Sequence, residues 1–176
     1  SSAGIFEKAE YKSRREKLMK FIPDGIALII GSEREKQNSN FIYFTGVEAP
    51  YSILIIDGMK KESILFLPTI ESREKLIEET GVTAIMPVSR FARQLASYQT
   101  QTDIIYTPFN RSDSGYVPKG ILDPDNRLSR EMNLISQIKE RIPFFRFKDI
   151  SRAIGDLRVI KSPAEIKVMR ESARIS

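Results

Sequence analysis

Hydrophobic residues in the first half of the chain form short runs of strand length between polar stretches and turn formers. The apolar positions of residues 6–21 have helical spacing. Residues 26–30 are apolar throughout, which is typical of a strand buried on both faces. The run FIYFTG, residues 41–46, predicts a second strand, and residues 51–58 and 62–68 predict a hairpin around the turn DGMK. The pattern therefore predicts one helix followed by four strands.

Helical and strand patterns alternate in the second half. Residues 69–80 predict a helix that ends at Gly81, a strand follows, and Ser89 is the candidate N-cap of a short helix. The remaining predicted elements are a strand over 103–108, a turn-rich loop over 110–126, a helix over 127–142, a strand over 143–151 and a helix over 151–160. One face of the helix over 127–142 carries Leu128, Met132, Ile135 and Ile138. This order predicts an α/β fold with one mixed sheet flanked by helices.

The composition excludes several kinds of site. The chain has no cysteine and no histidine, so it cannot form a disulfide, a Ser-His-Asp triad, a Cys-His pair or an ordinary zinc site. Its glycines are scattered rather than grouped into a phosphate-binding loop, and its few close acidic residues are interpreted as surface charge. The sequence therefore predicts no self-contained active site. The lack of cysteine fits a cytoplasmic protein, and no apolar run approaches the roughly 20 residues that span a bilayer.

The positive charge is concentrated near the end of the chain. Residues 141–176 hold 9 Lys/Arg and 4 Asp/Glu, which accounts for the whole net charge of +5. A basic segment of this kind can contact nucleic acid, a negatively charged neighbouring domain or water. No nucleic-acid motif accompanies it, so nucleic-acid binding is kept only as a third hypothesis.

The last segment contains a strongly specified helix start. Ser162 and Glu165 form the S-x-x-E pattern of a capping box, and Pro163 occupies the first helical position. An apolar stripe follows at Ile166, Met169 and Ala173. Because a lone helix of this length is marginal in water, we expect the stripe to pack against a surface that lies beyond Ser176.

Two segments carry a resemblance to a known family. The stretch LRVIKSPAEIKVMRESARIS resembles the segment that joins the two domains of Xaa-Pro aminopeptidases and prolidases. The stretch NSNFIYFTGVEAPYSILIID is similar to a strand of their N-terminal domain. The residues that fit these motifs and the domain junction are Asn40, Phe41, Tyr43, Thr45, Gly46, Arg158, Lys161, Ser162 and Glu165. A looser match over the opening helix and first strand extends the resemblance over essentially the whole chain.

The resemblance implies a ribonuclease-H-like N-terminal domain of the creatinase and prolidase type over residues 1–157. Residues 158–176 would be the linker and first helix of a truncated pita-bread catalytic domain. In the family that second domain binds two divalent metals, usually manganese, through two Asp, one His and two Glu, and it removes the residue before a proline. None of those ligands maps onto this sequence. The resemblance thus implies a fragment without catalytic residues or cofactor, whose partners are its own catalytic domain, further copies of the chain and, in the full-length enzyme, proline-containing peptides. It implies no membrane partner.

One departure from the family leaves alternatives open. Many aminopeptidase P members carry a Trp-containing segment after the second hairpin strand, which lines a neighbouring subunit's substrate pocket. This chain has no tryptophan. A prolidase-type dipeptidase, or a catalytically dead relative that binds proteins as a chaperone does, therefore remains an alternative to an aminopeptidase.

Each family-motif residue also has a structural interpretation. Strand alternation would put Phe41 and Tyr43 on one face and Phe44 on the other. Packing in the core therefore explains most of these three aromatic residues better than a peptide-binding patch does. Ser162 is interpreted as a helix cap and not as a nucleophile. Arg158 and Lys161 fit anchoring of a following domain and solvated linker charge equally well. The loop NRSDSGYVPKG is interpreted as a surface loop rather than a flap over a neighbouring site.

Overall fold

The computed structural model describes residues 6–32, 39–110 and 129–175. Its helices are α1 (Lys8–Met19), α2 (Ser39–Thr45), α3 (Arg73–Thr80), α4 (Phe91–Ser97), α5 (Arg130–Arg141), α6 (Ser151–Val159) and α7 (Pro163–Ile175). Its strands are β1 (Ile26–Ile30), β2 (Ile53–Asp57), β3 (Glu62–Leu67), β4 (Ala84–Pro87), β5 (Ile104–Thr107) and β6 (Arg146–Asp149). Short 3-10 turns, Val88–Arg90 and Tyr98–Thr100, flank α4.

The strands form one six-stranded mixed sheet in the order β4-β3-β2-β1-β5-β6. The hairpin strand β2 pairs antiparallel with both β1 and β3. The pairs β1–β5, β3–β4 and β5–β6 are parallel. This arrangement confirms the predicted α/β fold, in which an early hairpin is followed by alternating helices and strands.

Each face of the sheet has its own hydrophobic core. Every residue of β1 is buried, as predicted, and its side chains alternate between the two cores. Ala27 and Ile29 belong to the core that α1, α2 and α6 cover, and Ile26 and Leu28 belong to the core under α4 and α5. Burial of one such aliphatic side chain contributes about 1.5–3 kcal/mol, so these two layers hold the helices in place.

The predicted strand over residues 41–46 is wrong, because this segment forms helix α2. Burial follows a helical period: Phe41 and Phe44 are buried, whereas Ile42 and Tyr43 are partly exposed. The amide of Gly46 donates to Ile42 O over 2.7 Å, and its φ of +75° ends the helix in the left-handed region. The strand preference of aromatic and β-branched residues depends on their neighbours, and here α2 covers the core beside α1. The predicted four early strands are therefore three strands and a helix, and the predicted alternation of Phe41 and Tyr43 does not hold.

The helix termini confirm some predicted signals and correct others. Gly81 ends α3 with φ of +69°, as predicted. Ser89 lies inside the 3-10 turn, and the N-cap of α4 is Arg90, which makes no side-chain cap bond. The Oγ of Ser129 accepts from Met132 N over 3.2 Å and starts α5. Most of the predicted loop over 110–126, together with Leu128, lies outside the described residues.

Within the described ranges, the helices are too short or too polar to cross a membrane.

We predict that Gly46→Ala lowers the free energy of unfolding by about 1–3 kcal/mol, measured by urea denaturation. A Cβ at this position would lie 2.3 Å from Cζ of Tyr11, and the φ of +75° is strained for alanine.

The matched control is Gly155→Ala. Gly155 lies within α6, and a Cβ there would meet no heavy atom within 4 Å. Alanine should stabilise the helix by up to about 1 kcal/mol. Equal stability of the two variants would contradict the close approach of α1 to α2.

Candidate functional site

The two family-like segments meet in the folded chain. The end of α6 lies against α2, although the two are more than 100 residues apart in sequence. Arg158 Nη1 donates to Asn40 Oδ1 over 2.9 Å, and the Tyr43 hydroxyl donates to Leu157 O over 3.3 Å. The structure thus brings residues of both predicted motifs together at one junction, formed by α1, α2, α6 and the start of α7.

Arg14 of α1 is the centre of this junction. Its Nη1 donates to Tyr43 O over 2.9 Å, and its Nη2 donates to Glu165 Oε1 over 2.9 Å. Its Nε donates to Glu10 Oε1 over 3.2 Å. One guanidinium thereby connects α1, α2 and α7, and the residue is only 5% exposed.

Aromatic rings surround the same guanidinium. Its Cζ lies 4.7 Å from the ring centroid of Phe6, 5.4 Å from that of Tyr11 and 4.2 Å from that of Tyr43. A cation near the face of an aromatic ring is stabilised by about 0.5–1 kcal/mol at exposed sites and by more when it is desolvated. Charge, hydrogen bonds and rings together therefore offset the cost of burying Arg14.

Arg15 satisfies the end of α2 in the same way. Its Nη1 donates to Phe44 O over 2.7 Å, and the residue is 1% exposed. Burial lowers the pKa of Arg15 to about 10, so the guanidinium remains charged at neutral pH. The last carbonyls of a helix lack partners within it and carry partial negative charge. The two arginines of α1 therefore act as a C-terminal cap for α2.

The start of α7 confirms one half of the predicted capping box. Ser162 is buried, and its Oγ accepts from Glu165 N over 3.1 Å, as a helix cap does. The Glu165 carboxylate, which a full capping box would turn back to the Ser162 amide, accepts from Arg14. Lys161 Nζ lies 3.9 Å from Glu165 Oε2 and also donates to Arg158 O. Arg158 and Glu165 thus bind the body of the domain, whereas Lys161 stays exposed and contacts the end of α6 and the start of α7.

The other motif residues contribute to packing and hydrogen bonding within the domain. Phe41 is buried in the core, which confirms the packing interpretation. The hydroxyl of Thr45 is fully buried and donates to Phe41 O over 2.8 Å. The ring of Tyr43 lies between Arg14 and Arg158, at 4.2 and 5.6 Å from their Cζ atoms. Burial, as the largest influence, raises the pKa of Tyr43, so its hydroxyl stays protonated at neutral pH and donates.

A strip of apolar surface lies beside the junction. Val159, the last residue of α6, is 77% exposed, and Ile160, in the link between α6 and α7, is 71% exposed. On α7, Ile166 and Met169 are 39% and 58% exposed. The predicted stripe of α7 is therefore at the surface in this structure.

Sequence reasoning counted Glu10, Arg14 and Arg15 among the charges of the first helix and missed their role. A signal for it exists in the sequence. Tyr11 and Leu18 lie seven positions apart on one face of α1, and the two arginines occupy that face between them. An arginine pair inside an apolar stripe indicates buried charge with partners elsewhere in the fold.

The chemistry of the junction is that of binding and orientation. The described residues contain no group of three or more acidic, His or Cys side chains placed to hold a metal ion. The described residues therefore do not fit a pair of metals, which the family resemblance assigns to the second domain, and the junction supports no reaction step of its own.

We predict a graded loss of stability at Tyr43. Tyr43→Phe removes the bond to Leu157 O and should lower the free energy of unfolding by about 0.5–1.5 kcal/mol. Tyr43→Leu also removes the ring beside the two arginines, so it should lower the free energy of unfolding by about 0.5–2 kcal/mol more than Tyr43→Phe does. Urea denaturation measures both.

Tyr51→Phe is the matched control, because Tyr51 is 52% exposed. It should change the stability by no more than about 0.5 kcal/mol. A Tyr43→Leu variant as stable as Tyr43→Phe would contradict a contribution from the ring.

Sequence comparisons agree with this architecture. The curated relatives include intermediate cleaving peptidase 55, mitochondrial, from Arabidopsis thaliana, which is 27% identical over 182 residues and matches 95% of this chain and 35% of the relative. The Xaa-Pro aminopeptidase of Escherichia coli is 23% identical over 195 residues, matching 96% of this chain and 42% of the relative. The chain therefore spans well under half the length of these relatives.

Solved structures share the fold. E. coli aminopeptidase P with the inhibitor Pro-Leu has a TM-score of 0.70 at 21% identity, over 97% of this chain and 43% of that one. Icp55 from Saccharomyces cerevisiae has a TM-score of 0.66 at 20% identity, over 93% of this chain and 36% of that one.

The family model for the N-terminal domain of aminopeptidase P matches residues 11–106, which is more than half of the chain. The match includes most of α1, with its two buried arginines, and all of α2. The chain belongs to the family of aminopeptidase P N-terminal domains.

Proposed function

We propose that this chain is the non-catalytic N-terminal domain of a Xaa-Pro aminopeptidase, an enzyme that hydrolyses the peptide bond before a proline. The observation that carries the proposal is the junction: α7 is fixed to the body at its first turn, while its apolar residues Ile166 and Met169 remain exposed. A domain that supports a second domain needs such a surface. Membership in the aminopeptidase P family and the names of the relatives support the identity of the second domain.

Catalysis would belong to the second domain. That domain would hold two divalent metals, manganese by the family resemblance, which would supply an activated water for hydrolysis of the peptide bond. The ligands would be two Asp, one His and two Glu of that domain. The part of this chain that the structure describes supplies no such set, and its contribution would be support of the second domain.

The domain would also act through its outer surface. We propose that it contributes contacts in a homo-oligomer and partly covers the mouth of the active site, so that only short or unstructured peptides enter. The absence of tryptophan from the chain means that any such covering uses other side chains than in many aminopeptidase P members.

The test is hydrolysis by the full-length product of the gene. With Mn²⁺, the full-length protein should release the first residue from the tripeptide X-Pro-Y and from longer peptides that begin with X-Pro. Mass spectrometry of the products detects the released residue and the shortened peptide. The same peptide with alanine in place of proline is the substrate control. The 176-residue chain alone should cleave neither peptide.

Different outcomes separate the alternatives. Cleavage of Gly-Pro without cleavage of the longer peptide would indicate a prolidase-type dipeptidase. Cleavage of neither substrate would contradict a peptidase and favour a protein-binding module. Hydrolysis by the 176-residue chain alone would contradict the assignment of catalysis to another domain.

A further inference from the structure

The polar contact described between α7 and α1 lies in the first turn of α7. The side of α7 facing α1 borders an open groove of about 390 Å³, lined by Phe6 and Ala9 on one side and by Ala164 and Val168 on the other. Two other apolar residues of this helix, Ile166 and Met169, are exposed. Since tight apolar packing does not hold this helix, polar contacts must set its orientation.

The contacts of α6 fix where α7 begins but not its direction. Arg158 and Leu157 hold the last turn of α6 against α2. A short link, residues 160–162, then separates the two helices. The side chain of Ser162 caps the first turn of α7 within the same segment, so it starts the helix without aligning it to the domain.

Arg14 supplies the missing constraint. The planar guanidinium has donors at fixed angles, and three of its nitrogens reach three different helices. Two of these partners, Glu10 and Tyr43 O, set the plane of the group relative to the body of the fold. The third nitrogen, Nη2, then fixes the position of the Glu165 carboxylate on α7. Lysine cannot reproduce this, because its ammonium is a single point of charge without a fixed plane.

We propose that Arg14 is a positioning residue that sets the angle at which α7 leaves the domain. The proposal concerns the orientation of α7 and holds whether or not the chain belongs to an active peptidase. If the proposed function is correct, the same residue sets the placement of the catalytic domain.

The size of the effect follows from the length of the helix. α7 has 13 residues, so it is about 20 Å long at 1.5 Å per residue. A tilt of about 20° about its first turn moves its far end by about 7 Å. This displacement is large enough to measure between two spin labels.

The experiment uses the 176-residue chain, which has no cysteine and therefore accepts paired labels at chosen sites. Lys17 on α1 and Arg174 near the end of α7 are exposed and become cysteines that carry the labels. Double electron–electron resonance gives the distribution of distances between them. A second pair, at Lys17 and Arg93, reports the body of the fold, because Arg93 is exposed on α4.

The expected result is a narrow distribution for the Lys17–Arg174 pair in the parent chain. Arg14→Lys and Glu165→Gln should both broaden it and shift its maximum by up to about 7 Å, while the Lys17–Arg93 distribution stays unchanged. The matched control is Lys8→Met on α1, which removes the exposed ion pair between Lys8 and Glu78 of α3. It should leave both distributions unchanged.

Two outcomes would overturn the proposal. The first is a narrow, unshifted Lys17–Arg174 distribution in both Arg14→Lys and Glu165→Gln. The second is equal broadening of both label pairs, which would mean that Arg14 supports the fold as a whole. If Arg14→Lys fails to fold, Glu165→Gln decides alone, because it leaves the guanidinium its two other partners. Failure of the peptidase assay would leave these distances unaffected, so the two claims are tested separately.

Discussion

The burial of two neighbouring guanidinium groups on α1 is the constraint on which the junction depends. A buried charge is costly unless hydrogen bonds and opposite charges surround it. Arg14 and Arg15 find their partners in the last carbonyls of α2 and in the carboxylates of Glu10 and Glu165. The requirement is mutual, because the end of α2 also needs donors. Helix α2, its glycine stop and the start of α7 are therefore fixed by one set of contacts.

Much of the fold follows from local patterns. The continuous apolar run of β1 predicts a strand buried on both faces, and the hairpin of β2 and β3 follows from two apolar runs around a turn. Gly81 and Ser162 mark helix ends correctly because a cap is a local interaction. These elements are predictable since the residues that determine them lie close together in sequence.

Helix α2 could not be predicted in this way. Its residues have a strong preference for strands, and tertiary contacts override that preference. Phe41 and Phe44 fit the core at helical spacing, and Arg14 and Arg15 satisfy carbonyls that a strand would have offered to a neighbouring strand. The same holds for the junction as a whole. Arg14 and Glu165 are 151 positions apart, and no local pattern relates them. The resemblance to a family identified both segments but did not show that they touch.

The most direct test of this account is a double-mutant cycle between Arg14→Met and Glu165→Gln, measured by urea denaturation of the 176-residue chain. If the buried guanidinium joins α1 to α7, the effects of the two substitutions will not add, and the coupling free energy will be about 1–3 kcal/mol. If the two effects add to within about 0.5 kcal/mol, the pair does not interact energetically and the account is contradicted.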